Sequence, residues 1–233
     1  MTLIGPRPDW LTFDCYGTLI QWDEGLISAT NRILARTGSS IEPQAFLEVF
    51  DRHEHSLERS RPHLSFKEVT AKALEAAMTE LSLPSDPNDA EILTSSIGKM
   101  PPFPEAVATL GRLKAAGFKL AIISNTDDAI IAGNVAQLGG HIDRVITAQQ
   151  AQAYKPSREI FEYAWASIGI DKPQLVHICA SPHLDLVAAR DLGFRAIWID
   201  RGTGRKPLPD YLPNKVAAAL DQVPGFFSEA GWM

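Results

Sequence analysis

The stretch WLTFDCYGTLIQWDEG, Trp10 to Gly25, ends an apolar run on a lone carboxylate, Asp14, and follows it with Gly17 and Thr18. A strand that stops on an aspartate, with a glycine turning the backbone behind it, presents that carboxylate at the mouth of a sheet. The same aspartate would also serve to cap the next turn. What the rest of the chain brings to Asp14 decides between the two. KLAIIS stops at Ser124 and is followed by Asn125, a hydroxyl and an amide at the end of a second apolar run. LVHICA stops at Ala180 and is followed by Ser181 and then Asp185. A short loop after RVIT carries Lys155, the one cation of the set.

The elements that must position these residues are legible in the pattern. WLTF (10 to 13), KLAIIS (119 to 124), RVIT (144 to 147), LVHICA (175 to 180) and AIWID (196 to 200) are short and mostly apolar throughout, as strands buried on both faces of a parallel sheet are. Between them, Pro104 to Gly117 and Arg158 to Ile168 carry apolar residues at helical spacing. Alternation of this kind predicts right-handed crossovers and an α/β fold with a doubly wound parallel sheet. Such folds bind ligands at the carboxyl ends of their strands, where Asp14, Ser124, Asn125, Ser181 and, by its short loop, Lys155 all fall. Residues 21–96 break the pattern and read as four helices, Leu26 to Thr37, Pro43 to Leu57, Ser65 to Leu81 and Asp89 to Ile97. The expected organisation is a Rossmann-like core of residues 1–20 and 97–233, with a helical cap of residues 21–96 inserted after the first strand and standing over the sheet edge.

Composition narrows the partners. With 233 residues, 45% of them hydrophobic, the chain can bury a sizeable core. A net charge of -6 offers no basic footprint for nucleic acid or an anionic membrane. Two cysteines, Cys15 and Cys179, are too few for a disulfide framework and are not spaced as metal ligands. The amino-terminal MTLIGPRPDW lacks a basic region leading into a long apolar run, and no stretch approaches a membrane-spanning length, so a cytoplasmic location is expected.

FDCYGTL (Phe13 to Leu19), IISN (Ile122 to Asn125), YKP (Tyr154 to Pro156) and SPHLDLVAARDLGF (Ser181 to Phe194) occur together in the order and spacing of the haloacid dehalogenase superfamily, which the chain resembles along essentially its whole length. The resemblance implies that Asp14 is a nucleophile and that Lys155 offsets its charge. The chemistry is coherent: a carboxylate is ionised at neutral pH, attacks an electrophilic carbon or phosphorus, and leaves an ester that water cleaves. Phosphatases of this superfamily carry Asp-x-Asp at the first motif, and Gly-Asp with a further acid in the last. Here Tyr16 and Ala180 stand at two of those acid positions, so no Mg²⁺ site and no other cofactor are expected.

Asp-x-Tyr is similar instead to the 2-haloacid dehalogenase branch, whose members displace a leaving group from C2 of a small carboxylate without metal. A halide needs no proton to leave, so the missing acid costs that chemistry nothing. Asp185 is the surviving carboxylate of the last motif and the expected base for ester hydrolysis, or else a helix N-cap. Thr18 is expected to order the nucleophile loop, and Tyr16, Ser124, Asn125 and Ser181 to meet substrate. Arg52 is the cap arginine expected to receive the leaving group, with Arg59 and Arg61 as rivals.

A subgroup of the branch opens the ring of azetidine-2-carboxylate, displacing nitrogen, and the first three motifs resemble it equally. In that setting Asp127 would face an ammonium group. His183 is the one histidine of the last motif, beside His53, His55 and His63 of the cap. The leading expectation is a hydrolase acting on a small 2-substituted carboxylate. A phosphatase and a catalytically silent binding relative are the alternatives, and the family likeness implies a homodimer.

Overall fold

The computed structural model describes Leu3 and residues 5–233. Met1, Thr2 and Ile4, part of the amino-terminal segment read for a leader, lie outside the described residues. Six parallel strands form one sheet: β1 (Trp10–Phe13), β2 (Lys119–Ser124), β3 (Arg144–Thr147), β4 (Leu175–Cys179), β5 (Ala196–Ile199) and β6 (Lys215–Ala217), in the order β3-β2-β1-β4-β5-β6. The five apolar runs are the first five strands. The sixth, at the sheet edge, is too short and too exposed to announce itself, with Val216 half exposed.

β1 is central, and every residue of β1, β4 and β5 is buried, which is why these strands read as unbroken apolar runs. Phe13 is level with Ile122 on one side and Ile178 on the other, so the next residue, Asp14, emerges where the strand order reverses. The Asp14 N–H still donates to the Ile178 carbonyl at 3.0 Å, holding the backbone against β4.

Between β1 and β2 come α1 (Trp22–Thr37), α2 (Pro43–Glu58), α3 (Phe66–Glu80), α4 (Asp89–Ile97) and α5 (Ala106–Ala115). The first four pack on one another over the strand ends and α5 returns to the sheet. The remaining helices are α6 (Asp128–Val135), α7 (Ala148–Ala151), α8 (Arg158–Ile168), α9 (Val187–Leu192) and α10 (Val223–Glu229), and a π turn, Pro182–Leu186, leads into α9. The protein is therefore a doubly wound α/β sheet carrying a helical cap inserted after its first strand. No helix among the described residues is long and apolar enough to cross a membrane.

The cap is tied to the sheet by polar bonds. The N–H groups of Phe66 and Lys67, at the start of α3, donate to the two oxygens of Asp127 at 2.9 Å each, and Ser65 accepts from Glu68 N–H in a capping box. All four orphan donors of that helix end are thus satisfied, two by the reciprocal Ser65–Glu68 bonds and two by a residue of the sheet domain. Asp127 is buried in this role and does not face the cavity, which corrects the expectation that it meets an ammonium group. Tyr154 donates to the Leu64 carbonyl at 2.9 Å, and Asn125 to Glu58 at 3.1 Å.

Candidate active site

The loop after β1 is shaped by Gly17, at φ 80°, a left-handed conformation that a side chain would strain. Its N–H donates to the Ile20 carbonyl, and the N–H groups of Leu19 and Ile20 return to the Cys15 carbonyl. This tight turn carries Thr18 back beneath Asp14. The Thr18 hydroxyl donates to Asp14 Oδ2 at 2.6 Å and accepts from Ala180 N–H at 2.8 Å. Thr18 thus locks the loop that carries Asp14 to the end of β4.

Lys155 is 2% exposed, and its Nζ lies 2.8 Å from both Asp14 Oδ1 and Asp185 Oδ1. Behind Asp185 the network continues: His177 Nε2 lies 2.9 Å from Asp185 Oδ1, and its Nδ1 lies 2.8 Å from Thr12 Oγ1. Thr12 and His177 are register partners on β1 and β4, so the sheet itself delivers this pair. One ammonium serves two buried carboxylates. Burial would lower the Lys155 pKa, but the charges of Asp14 and Asp185 outweigh it and raise it, so the amine stays charged. Burial likewise pushes Asp185 up, yet Lys155 and His177 hold it below the usual range. At Asp14 burial wins over Lys155, and with help from the Asp185 charge its carboxyl is raised.

Asp14 and Lys155 open into a cavity of about 280 Å³ lined also by Tyr16, Trp22, Ser124, Asn125, Ser181 and Arg205. The expected residues are therefore brought together, with three qualifications and one correction. Asp185 is completely buried beneath Lys155 and is not part of the cavity wall. Asn125 is already engaged, accepting from Lys155 N–H at 2.7 Å while donating to Glu58 and to the Lys155 carbonyl. Tyr16 walls the cavity against Trp22, and its hydroxyl is spent on Asn134 at 3.0 Å. Ser124 is the opposite case: fully buried on the floor, its Oγ has no hydrogen-bond partner.

The correction concerns Arg52. It lies on the outside of α2, exposed, in a two-pronged ion pair with Glu80, and does not line the cavity. Each residue of a helix turns by roughly 100°. Asp51, Glu54, His55 and Glu58 share the inward face, and Arg52 is one step off it. Their i, i+3, i+4, i+7 spacing was the available signal and it marks a polar face directed at the sheet. The rivals Arg59 and Arg61 line an adjoining cavity of about 260 Å³ with Tyr154 and His183. Arg205, unforeseen in the sequence, reaches the main cavity while paired with Asp23 at 2.7 Å.

The residues fit a divalent cation poorly. Among the described residues the one tight donor group is His177, Cys179 and Asp185, with ligand atoms within 4.8 Å of one another. Asp185 Oδ1 in that group already accepts from Lys155 and contacts His177, and a metal there would meet the ammonium.

Residues 8–193 match the haloacid dehalogenase-like hydrolase family. The chain is 30% identical over 207 residues to an (S)-2-haloacid dehalogenase of Burkholderia cepacia, covering 87% of each chain. Its fold matches an L-2-haloacid dehalogenase from Xanthobacter autotrophicus with a TM-score of 0.82 at 20% identity, covering 95% of this chain and 98% of the other. The same enzyme with chloropropionic acid covalently bound matches at 0.80 and 19% identity, with the same coverage. A doubly wound sheet with a helical cap and a carboxylate at the end of its first strand defines a class of hydrolase, and this chain belongs to the haloacid dehalogenase-like family within it.

Proposed function

We propose that the protein hydrolyses small 2-substituted carboxylates at C2 through an ester on Asp14, with no metal taking part. The observation that carries this reading is the Lys155 ammonium, held 2.8 Å from Asp14 and from Asp185, which fills the electrostatic position of a cation beside the nucleophile. An oxygen of Asp14 attacks C2, and the C2–X bond breaks with its electron pair going to X, a halide or a ring amine. Water then adds to Cγ of Asp14, the 2-hydroxy acid leaves, and Asp14 is regenerated.

Thr18 and Lys155 fix the attacking carboxylate, and the unpaired hydroxyl of Ser124 in the cavity lining supports a role for it in holding the substrate carboxylate. Asp185 Oδ2, buried and without a partner, is the acceptor proposed for the proton of the attacking water. Tyr16, whose hydroxyl is engaged elsewhere and whose pKa burial raises, does not supply the acid that a phosphate ester would need. The dehalogenase names of the relatives support halide as one leaving group.

The test is a panel of 2-halo acids, azetidine-2-carboxylate and phosphate esters. Release of halide or of ring-opened hydroxy acid, with an ester on Asp14 detected by mass spectrometry, is expected. Release of phosphate alone would overturn the reading in favour of a phosphatase. Binding of these compounds without release of any product would leave a silent relative.

A further inference from the structure

The roof of the cavity is acidic. Asp51, Glu54 and Glu58 descend from one face of α2 towards Asp14, and only Glu58 is spoken for, by Asn125 at 3.1 Å and His55 at 3.3 Å. Asp51 is exposed at the rim. Glu54 is 6% exposed, its Oε1 is buried with no hydrogen-bond partner, and among the described residues it has no ion pair. A carboxyl in this condition is costly, and proteins seldom retain one without a partner for it. Ser124 on the floor is an independent second case, fully buried in the same cavity with its Oγ unpaired. An orphan acceptor above and an orphan hydroxyl below call for a ligand polar at both ends.

The sign of the upper end follows from the charges. The carboxyl groups of Asp14, Asp51, Glu54 and Glu58 face the cavity, whereas of the basic groups lining it Lys155 is held by two carboxylates, Arg205 by Asp23 and His55 by Glu58, which leaves His183 as the one without an ion pair among the described residues. An anionic or halide group under this roof meets repulsion, and a cation is the complement. We infer that Glu54 is a specificity-determining residue that receives an ammonium group, so that the preferred substrates are 2-substituted carboxylates that also carry an amine. Burial first, then the neighbouring Glu58 and Asp51, push the Glu54 carboxyl well above its ordinary value.

This inference rests on the proposed C2 hydrolase reading, and the experiment separates the two. Wild-type protein is assayed with 2-chlorobutanoate and with 4-amino-2-chlorobutanoate, following halide release and the ester on Asp14. The expected result is a kcat/KM at least about tenfold higher for the amino compound, a discrimination that a charge pairing in an enclosed site readily gives. Glu54→Gln, which keeps the volume and removes the charge, should bring that ratio close to one, chiefly through KM. Its melting temperature should not fall, because an unpaired buried acid is removed.

Equal rates for the two substrates in the wild type, or a preference for the uncharged one, would overturn the Glu54 assignment while leaving the hydrolase intact. A Glu54→Gln variant that keeps the wild-type ratio would do the same. No ester and no halide from either compound would instead remove the hydrolase reading itself.

Discussion

Lys155 donates to two carboxylates at once, and its position decides how the site responds to substitution and to pH. Asp185→Asn should leave ester formation possible while slowing ester hydrolysis by about 10²–10⁴-fold, the usual contribution of a general base. Intact-protein mass spectrometry during turnover should then show an adduct on Asp14. No adduct, with a lowered melting temperature, would confine Asp185 to holding Lys155. The raised Asp14 carboxyl makes a second prediction, because it keeps its proton at a pH where a free aspartate has lost it. Activity should fall on the acid side at a pH above the ordinary aspartate value of 3.8, read from the pH profile of kcat/KM. An acid limb at or below that value would contradict the shift. Asp14, Lys155 and Asp185 were legible because each ends or follows an apolar run within a recognisable motif. The Thr12–His177 pair was not, since a polar residue inside an apolar strand reveals its partner only when register is known.

At the scale of elements, the cap meets the sheet through a helix end. Asp127 accepts from two N–H groups at the start of α3, where an anion also complements the helix dipole. Asp127→Ala should cost about 1–2 kcal/mol, in the range of a lost N-cap. It should also raise KM more than it lowers kcat, because the cap is then less firmly placed over the cavity. Thermal unfolding and steady-state kinetics check this, and an unchanged KM would show that the remaining cap contacts suffice. Helix positions were readable from apolar spacing, as Pro43 to Leu57 against the observed Pro43–Glu58 illustrates. The phase of the polar face was harder. Arg52 and Glu54 lie two residues apart in one charged stretch, and which of them turns inward depends on how α2 packs against α3 and the sheet, something its charge pattern alone leaves open.

At the scale of the whole molecule, polar bonds at α2, α3 and the Leu64 carbonyl hold a cap over a sheet edge whose local cation is an amino-acid side chain. Activity should therefore survive exhaustive chelation and gain nothing from added Mg²⁺ or Mn²⁺, as assayed on the substrates that the panel identifies. Loss of turnover with EDTA and recovery with Mg²⁺ would mean that a metal displaces Lys155 from its carboxylates. The acidic roof belongs to this scale too, since it exists only when α2 is folded over β1 and β4.

The central claim is that bond breaking at C2 passes through an ester on Asp14, and a single turnover in heavy-oxygen water with enzyme in excess tests it most directly. Water that cleaves an alkyl ester at Cγ of Asp14 leaves its oxygen in the enzyme. The account predicts one heavy oxygen in the peptide containing Asp14 and none in the hydroxyl group of the first product. Heavy oxygen in the first product, with Asp14 unlabelled, would mean that water attacks the substrate or a phosphoryl group directly, and would contradict the account.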